Sequence, residues 1–403
     1  MTTFPTDFLW GASGAPHQIE GNNVNSDWWY YEHVMPHLAG SGDADDSYHR
    51  YREDMHLLAQ AGLTAYRFGV EWARVEPLPG EFSRAELAHY RRMIDTALEL
   101  GLTPVITLHH FTSPRWFIEE GGWTGDTAID RFASYVERVC DILGGVEWVC
   151  TINEPNIFVL MTRMSQALTG VVAAAKDAPA NQSTDRQAIP RPQPEVSDRL
   201  IATHQAACEV LKRRTDAKVG WTVANQAFWT KPVNADYLAI EQYEREDRFL
   251  EGSRGDDFIG VQAYSTQEVD ENGLVPATPS PDNTLVGTAY RPDALGIAVR
   301  HAWEVTGGVP ILVTENGIAT SDDQQRIAYT GEALRHLALA MSDGIDVRGY
   351  LHWSVLDNFE WGNWEPTFGL IGVDRETFER HPKPSLAWLG KVAQSNGVPL
   401  NEV

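Results

Sequence analysis

Two glutamates in the sequence each stand just beyond a short apolar run. Glu154 follows Trp148–Ile152 and Glu315 follows Pro310–Thr314. Two carboxyl groups facing each other across a pocket can cleave a glycosidic bond, because one protonates the leaving oxygen while the other attacks the anomeric carbon or activates water. The charge of one also raises the pKa of the other, which keeps a proton available near neutral pH. A single glutamate at such a position is more often a solvated or salt-bridged rim residue, but the pair with its neighbours favours glycosidic chemistry.

Polar and aromatic residues follow several other apolar runs. Amides and carboxylates that form paired hydrogen bonds, together with flat aromatic rings, suit the hydroxyl groups and the C–H faces of a sugar. The further residues in this set are Gln18, Glu20, Arg67, His109, His110, Asn153, Tyr264, Asn316, Trp353, Glu360 and Trp361. A cationic Arg67 close to the two glutamates would keep one of them ionised.

The tryptophans divide into two groups by their sequence context. Those beside polar residues in loop-like stretches are expected near a sugar; they are Trp28, Trp29, Trp116, Trp123, Trp353, Trp361 and Trp364. Those inside strand or helix patterns are expected in the core; they are Trp72, Trp148 and Trp221.

Other hydrolytic chemistries find little support. His109 and His110 are adjacent, and adjacent strand residues point to opposite faces, whereas a metal pair would require His-x-His. The sequence contains neither an HExxH motif nor a GxSxG nucleophile elbow. Neither a metal ion nor any other cofactor is therefore expected.

Residues so far apart in sequence need a scaffold that gathers the ends of many strands. Eight short apolar runs alternate with amphipathic helical stretches along the 403 residues. The predicted strands are Phe8–Gly11, Ala65–Gly69, Thr103–Leu108, Trp148–Ile152, Lys218–Val223, Phe258–Gln262, Pro310–Thr314 and Gly349–Trp353. Eight βα repeats predict a single-domain α/β fold over residues 1–403, a (β/α)8 TIM barrel with long βα loops and its site at the C-terminal face.

Two features qualify this architecture. A doubly wound open sheet is the alternative, but it would require a Gly-rich phosphate loop after the first strand, and residues 11–16 (GASGAP) do not complete GxGxxG. Residues 170–196 are rich in Ala, Gln and Pro and show no apolar period. They predict a loop or lid over the barrel mouth, with a linker as the alternative.

The composition limits the partners. The chain carries 32 basic and 56 acidic residues, a formal net charge of −24, and such a surface repels nucleic acid and anionic lipid. Cys140, Cys150 and Cys208 are too widely spaced for a disulfide framework or a metal knuckle. Neither a signal peptide nor a membrane-spanning apolar run is evident, so a cytoplasmic location and a small-molecule substrate are expected. The oligomeric state is not indicated.

The motifs together resemble those of glycoside hydrolase family 1, the retaining β-glucosidase-type enzymes on a (β/α)8 barrel. The resemblance extends over almost the whole chain and rests on residues 8–12 (FLWGA), 18–21 (QIEG), 66–68 (YRF), 107–110 (TLHH), 153–155 (NEP), 314–317 (TENG) and 353–361 (WSVLDNFEW). The last three are specific signals in this order and spacing.

The resemblance implies a role for each matched residue. Glu154 would be the acid/base and Glu315 the nucleophile that forms a glycosyl-enzyme, with their carboxyl groups about 5–5.5 Å apart as retention requires. Asn153 would hold the sugar 2-hydroxyl, while Arg67 and Tyr264 would support Glu315. The contacts to O3, O4 and O6 would come from Gln18, His110, Glu360 and Trp361, with Trp353 as the platform under the ring.

Departures from the family pattern concentrate on the leaving-group side. Residues 110–114 read HFTSP where the family usually has HWDLP, residues 262–264 read QAY in place of NYY, and Thr367 stands where an Arg is common. The Gly-Tyr and Pro-Gly segments that usually follow NEP are also missing. An intact sugar site beside a rebuilt leaving-group site predicts a specialised aglycone, such as that of a natural-product glycoside.

The predicted activity is that of an exo-acting β-glycosidase, with glucosides preferred and galactosides or fucosides tolerated. A carboxylate at Glu360 would repel a 6-phosphate, which favours an unphosphorylated sugar. Two alternatives use the same residues or the same fold: an enzyme that passes the glycosyl group to an acceptor other than water, and a sugar-binding barrel without turnover. Loss of one catalytic carboxylate would mark the latter, and both are present.

Overall fold

In the computed structural model, which describes residues 2–162 and 191–398, eight parallel strands close into a barrel. In chain order they are β1 (Leu9–Ser13), β2 (Ala65–Gly69), β3 (Thr103–Thr107), β4 (Trp148–Asn153), β5 (Lys218–Ala224), β6 (Ile259–Gln262), β7 (Ile311–Asn316) and β8 (Val347–Trp353). Each strand pairs with the next in chain order, and β8 pairs with β1 to close the barrel. The predicted (β/α)8 barrel is confirmed.

Helices connect and surround these strands. The α-helices are Pro16–Ile19, Asp27–Val34, Ser47–Ala61, Trp72–Val75, Arg84–Glu99, Arg115–Glu119, Ala128–Val139, Pro194–Arg214, Ala235–Gln242, Arg248–Gly252, Ala294–Thr306, Asp323–Ser342 and Pro384–Ser395, and residues 155–162 are also helical. Shorter helical turns lie at Gly122–Thr124, Cys140–Ile142, Pro232–Asn234 and Tyr243–Asp247. No helix in the described part of the chain is long and apolar enough to cross a membrane.

Three small sheets lie outside the barrel. They pair Thr2–Thr3 with Gly397–Val398, Ile371–Val373 with Arg380–Pro382, and Gln267–Asp270 with both Phe228–Thr230 and Gly273–Leu274. The last of them is built from chain that follows β5 and β6, on the side where the strands end.

Local sequence explains where the helices begin and end. Ser83 accepts a hydrogen bond from the backbone N–H of Glu86 at the start of Arg84–Glu99, and Gly62 ends Ser47–Ala61 with a φ of 100°. Proline opens the helix at Pro194, where its missing N–H is of no consequence. Because this helix begins at Pro194, the end of the predicted 170–196 loop is helical, and residues 170–190 lie outside the described residues.

The barrel interior changes from apolar to polar along the strands. Its lower part is an apolar cluster of Leu9, Ala65, Val105, Trp148, Cys150, Phe258, Leu312 and Leu351. Above this lies a buried polar layer that includes Arg67, Thr107, Asn153, Thr222, Gln262 and Glu315. Burying so many polar groups is costly unless they bond to one another, so the layer is expected to be a connected network at the strand ends.

Candidate active site

A cavity of about 300 Å³ opens at the C-terminal end of the barrel. Nine of the ten residues to which the family resemblance gives a role line it: Gln18, His110, Asn153, Glu154, Tyr264, Glu315, Trp353, Glu360 and Trp361. The tenth, Arg67, lies beneath them with no exposed surface. The closed barrel therefore brings together the predicted set from all parts of the chain.

Glu154 lies directly after β4, where the chain turns into the helical residues 155–162. Its backbone N–H donates to the carbonyl oxygen of Thr222 on β5 at 2.8 Å, and its φ is 43°. The left-handed region is uncommon for a residue with a side chain, so the neighbouring strand and helix must hold this backbone in place. The carboxyl group is thereby directed into the cavity.

Glu315 lies on β7 and both of its carboxylate oxygens are bonded. Arg67 Nη1 donates to Oε1 at 2.6 Å, and the hydroxyl of Tyr264 donates to Oε2 at 2.6 Å. The same guanidinium donates through Nη2 to Oδ1 of Asn153 at 2.5 Å and through Nε to Thr107 at 2.9 Å. Arginine thus connects the two predicted functional strand ends through hydrogen bonds that require its fork geometry.

The electrostatics distinguish the two glutamates. Burial raises the pKa of Glu154 well above its ordinary value, and the negative charge of Glu315 raises it further. Burial also raises the pKa of Glu315, but the charge of Arg67 and the hydroxyl of Tyr264 oppose that rise. Glu154 therefore holds its proton to higher pH than Glu315, which is the division of roles that an acid and a nucleophile need.

The far end of the cavity is built from Gln18, Trp353 and Glu360. Trp353 Nε1 donates to Oε1 of Glu360 at 3.3 Å, and Gln18 Nε2 donates to the carbonyl oxygen of Phe359 at 2.8 Å. Burial raises the pKa of Glu360 to about 8. Burial therefore favours the neutral form of this carboxyl group, so charge repulsion of a 6-phosphate is weaker than the sequence predicts. None of the described residues lining the cavity is Lys or Arg, so none of them offers a permanent positive charge to a phosphate group.

Trp361 is held by aromatic contacts on several sides. The ring of His17 stacks parallel to it with centroids 5.8 Å apart, and Phe111 meets its edge at 5.1 Å. His17 is itself fixed by a buried contact at 2.5 Å with Glu32, on Asp27–Val34. Trp361 can therefore present a fixed indole face to a ligand.

Some of the strand-end residues do not reach the cavity. Glu20 forms an ion pair with Arg74 at 3.0 Å and accepts a hydrogen bond from the hydroxyl of Tyr90 at 3.0 Å. Asn316 donates to the carbonyl oxygen of Ala263 at 2.6 Å. His109 packs edge-on against Trp123 and Phe158, as expected if only one of the adjacent histidines enters the barrel. These side chains serve the packing of the scaffold.

The grouping of the tryptophans is partly wrong. Trp116 and Trp123 are buried and pack around Trp72 rather than lining the cavity, because the loop that carries them folds back over the outer core. Trp28 contacts Trp361 at 4.9 Å, but it, Trp29 and Trp364 are not among the described lining residues. The predicted burial of Trp72, Trp148 and Trp221 is confirmed.

The altered loop at residues 110–114 is held by carboxylates from elsewhere in the chain. Thr112 donates to Oε2 of Glu71 at 2.7 Å, and the backbone N–H of Ser113 donates to Oδ1 of Asp27 at 2.9 Å. The loop is thus anchored at Thr112 and Ser113 although its sequence departs from the family pattern, and Phe111, which precedes these anchors, lines the cavity.

The entrance side of the cavity is a wall that the sequence did not reveal. Its described residues are Phe111, Ile157, Met161, Thr284, Val286, Thr288, Ile318 and Phe368. Thr284 and Thr288 bond each other at 2.8 Å between their hydroxyl oxygens, and the backbone N–H of Leu285 donates to the carbonyl oxygen of Ala319 at 2.9 Å. Ile157 and Met161 lie on the helical residues 155–162, and the others lie on separate loops. No local pattern indicates that the chain after β6 returns to the barrel mouth. We call this set the entrance wall.

One cluster of possible metal ligands lies outside the cavity. Within the described ranges it comprises His204, Cys208 and Asp256. Thr151 bonds Nδ1 of His204 at 2.7 Å and Asp256 lies 2.9 Å from Nε2, so both ring nitrogens already have partners. The sulfur of Cys208 is 3.6 Å from both nitrogens, which places it over the ring face rather than along a nitrogen lone pair. The group is a hydrogen-bonded network between helix and barrel.

Comparison with known proteins places this geometry in context. The model of Glycosyl hydrolase family 1 matches residues 1–256 and 233–398. The chain is 28% identical to Beta-glucosidase A of Acetivibrio thermocellus, with 98% of this chain and 99% of that protein covered. It is 30% identical to Thermostable beta-glucosidase B of Thermobispora bispora, with 98% and 92% covered. The crystal structure of beta-glycosidase BGL167 superposes with a TM-score of 0.88 at 42% identity, with 99% of each chain covered.

Proposed function

Because this chain belongs to glycosyl hydrolase family 1, and is therefore a glycoside hydrolase of the β-glucosidase type, we propose that it cleaves β-glucosides by double displacement with Glu315 as nucleophile and Glu154 as acid/base. The observation that carries this proposal is the pairing of Glu315 with Arg67 and Tyr264 beside a glutamate of higher pKa. Exo-acting cleavage fits a cavity lined at one end by the hydrogen-bonded side chains of Glu360 and Trp353.

In the first step the carboxylate of Glu315 attacks the anomeric carbon and Glu154 protonates the departing oxygen. The glycosidic bond breaks as the ester bond to Glu315 forms, and the aglycone leaves as an alcohol. In the second step Glu154, now ionised, removes a proton from water, which attacks the anomeric carbon and releases Glu315. Two inversions retain the configuration. The mechanism requires carboxyl groups about 5–5.5 Å apart.

The remaining cavity residues would bind the sugar. Asn153 is proposed to donate to the 2-hydroxyl, and Trp353 to lie under the ring. Gln18, His110, Glu360 and Trp361 are proposed to contact O3, O4 and O6. Lack of basic residues in the described lining supports an unphosphorylated sugar. Hydrolysis of 4-nitrophenyl β-glucoside but not of its 6-phosphate tests this, and the galactoside and fucoside measure the tolerance at C4 and C6.

The entrance wall supports an apolar aglycone. Six of its eight described residues are apolar, and its hydroxyl pair Thr284 and Thr288 is internally bonded. A second sugar would need hydrogen-bond partners for its hydroxyl groups, and this wall has few polar side chains. An aryl group, by contrast, would pack against the apolar side chains of the wall. We therefore expect kcat/KM for hydrophobic aryl glucosides to exceed that for cellobiose by at least tenfold. Equal values for the two would contradict the proposal.

The same wall favours a second activity, transfer of the glucosyl group to an apolar alcohol instead of water. An alcohol with an apolar body would be retained beside the glycosyl-enzyme where water has few partners. Chromatography of products formed with hexanol present tests this. Hexyl glucoside should form in preference to free glucose, with methanol at equal concentration as the control for simple mass action.

Trapping of the glycosyl-enzyme tests the central proposal. Incubation with an activated 2-deoxy-2-fluoro-β-glucoside should add one fluoroglucosyl mass, and peptide mapping should place it on the peptide that contains Glu315. The matched E315Q variant should remain unlabelled. Label on another residue, or absence of label with a folded protein that hydrolyses the parent glucoside, would refute the assignment, and a folded protein without turnover would identify a sugar-binding barrel.

A further inference from the structure

We propose that Gln262 is a positioning residue for glycoside cleavage, which orients the side-chain amide of Asn153 so that its N–H group faces the sugar 2-hydroxyl. This inference rests on the proposed function, in which Asn153 donates to that hydroxyl. It concerns a residue where this chain has glutamine and the family usually has asparagine.

The oxygen of the Asn153 amide accepts hydrogen bonds from three donors. Oδ1 accepts from Arg67 Nη2 at 2.5 Å, from Gln262 Nε2 at 2.9 Å and from the hydroxyl of Thr222 at 3.0 Å. All four side chains belong to residues that are at most 1% exposed. Three donors around one carbonyl oxygen leave it no capacity for a ligand, so a sugar can meet only the nitrogen of this amide.

The orientation of both amides follows from the chemistry of their partners. Arginine can only donate, so the Asn153 oxygen must face Arg67 and its nitrogen must lie on the opposite side, where it is 3.2 Å from Nε2 of His110 in the cavity. If the amide of Gln262 were reversed, its oxygen would face the oxygen of Asn153. The Oε1 atom of Gln262 is buried without a partner among the described residues, so the bond to Asn153 is what selects this orientation.

The length of the glutamine side chain matters because of the strand order. Asn153 ends β4 and Gln262 ends β6, with β5 between them. Neighbouring strands are about 4.8 Å apart, so a side chain on β6 must reach past β5 to touch a residue on β4. Thr222 on the intervening β5 reaches the same oxygen with a shorter side chain. The extra methylene of glutamine relative to asparagine supplies this reach.

Misorientation of Asn153 would affect the chemical step more than binding. Contacts to the 2-hydroxyl strengthen in the oxocarbenium-like transition state of glycosidases. An interaction that is stronger in the transition state contributes to kcat rather than to KM alone. The effect of Gln262 should therefore appear in kcat, and only with substrates that carry a 2-hydroxyl.

The test compares Q262M with the wild-type enzyme on 4-nitrophenyl β-glucoside and on the corresponding 2-deoxy-β-glucoside. Methionine keeps the length and volume of glutamine but removes the donor. We expect kcat for the glucoside to fall about threefold to tenfold, the range for one neutral hydrogen bond, and kcat for the 2-deoxyglucoside to stay within twofold of wild type. An equal loss on both substrates, or no loss on either, would overturn the proposal.

Two more variants keep the outcome clear. T222V removes another donor to the same oxygen. Its hydroxyl also accepts a 3.4 Å bond from the Glu154 N–H, but that N–H keeps its 2.8 Å bond to the Thr222 carbonyl in the variant. T222V should therefore show the same substrate-dependent loss, so the proposal stays testable if Q262M folds poorly. T314V is the matched control, since Thr314 flanks Gly260 from the other neighbouring strand and its hydroxyl donates to the Val261 carbonyl at 3.5 Å rather than to Asn153. It should change neither substrate's kcat by more than twofold, and a Q262M-like pattern in T314V would indicate a general effect of the layer and overturn the assignment.

Failure of the underlying function can be recognised separately. N153A should lose most of the rate advantage of the 2-hydroxyl, and Q262M should have no further effect on N153A. If N153A retains the full advantage, Asn153 does not serve the 2-hydroxyl and the proposed function is wrong at that residue. If N153A loses the advantage while Q262M and T222V keep it, the role of Asn153 stands and that of Gln262 is refuted.

Discussion

Arg67 and Glu315 form a buried ion pair at the C-terminal end of the barrel, with Nη1 and Oε1 2.6 Å apart. The side chain of Arg67 is 0% exposed and that of Glu315 is 5% exposed. Such a pair is expensive to bury unless every remaining donor is also bonded. Here Nε and Nη2 of the guanidinium donate to Thr107 and Asn153. One arginine thus compensates the proposed nucleophile and holds the proposed ligand of the 2-hydroxyl.

Replacement of Arg67 by Met should shift the acidic limb of the kcat/KM profile to higher pH. Without the guanidinium the pKa of Glu315 rises further, so the carboxylate forms only at higher pH. We also expect a loss of about 3–5 kcal/mol in unfolding free energy near neutral pH, because an uncompensated charge stays buried. That loss should shrink at low pH, where Glu315 is protonated. R67K, which keeps the charge but not the fork, is the control and should shift the limb less.

Replacement of Tyr264 by Phe should also shift the acidic limb of the kcat/KM profile to higher pH, but by less than replacement of Arg67 by Met. The variant removes only the hydroxyl that donates to Oε2 of Glu315, and a hydrogen bond to a charged group is worth about 1.5–3 kcal/mol. We expect kcat/KM to fall roughly tenfold to a hundredfold, with the acidic limb again moved upward. A pH–rate profile with an unchanged acidic limb would show that the hydroxyl does not stabilise the carboxylate.

The E154Q variant should lose activity in proportion to the basicity of the leaving group. General acid assistance typically contributes 10²–10⁴-fold, and a leaving group such as 2,4-dinitrophenolate departs without it. We expect a loss of about a thousandfold or more with 4-methylphenyl β-glucoside but little loss in the burst of 2,4-dinitrophenolate. The alkaline limb should disappear from that burst. Equal losses for both leaving groups would argue against an acid role.

The entrance wall can be tested with Val286→Ser. Val286 lines the cavity from an exposed loop, so its replacement should disturb the fold little. Loss of its apolar contact should lower kcat/KM for a naphthyl glucoside about threefold to tenfold and leave methyl β-glucoside unchanged. Val233→Ser is the matched control, since Val233 is 85% exposed and is not among the lining residues. An equal decrease for the two glucosides would place Val286 outside the aglycone contact.

E360Q should be more stable than wild type at alkaline pH. Burial raises the pKa of Glu360 to about 8 in the folded state from an ordinary 4.5, so the native protein binds this proton more tightly than the unfolded chain does. Wild-type stability therefore falls as pH rises from about 4.5 through 8, while the neutral amide has no such dependence. We expect the difference to reach about 4–5 kcal/mol at pH 9, as linkage gives for a pKa raised from 4.5 to about 8, and to fall below about 1 kcal/mol at pH 5. Denaturant unfolding at both pH values measures it, and a difference independent of pH would contradict the raised pKa.

The strands and the strand-end glutamates could be predicted because they depend on local pattern. Buried parallel strands are continuous apolar runs, and the predicted strand over Ala65–Gly69 matches the structure at both ends. A polar residue just beyond such a run must lie at the C-terminal face of the barrel. Glu154 and Glu315 were identified in this way, and Tyr264 also follows a predicted strand.

Side-chain direction was less predictable because β4 is irregular. Cys150 points into the barrel interior, and strict alternation would turn Ile152 inward and Asn153 outward. The pairing of β4 with β5 shifts between Cys150 and Asn153, so Ile152 joins the outer core and Asn153 turns inward. A one-residue shift in register reverses the face of the sheet on which every later side chain lies. No residue type in this stretch of sequence indicates such a shift.

By itself, the sequence determined the barrel, the two carboxyl groups and many of the residues that line the cavity, since each follows from a short apolar run and the residue that ends it. Only the tertiary structure decided that Trp123 packs in the core, that Val286 lines the entrance and that Gln262 touches Asn153. These contacts join segments far apart in the chain, and their geometry depends on loop paths and strand register rather than on local composition. Local propensity carries no information about which distant atom fills the last hydrogen bond of a buried amide.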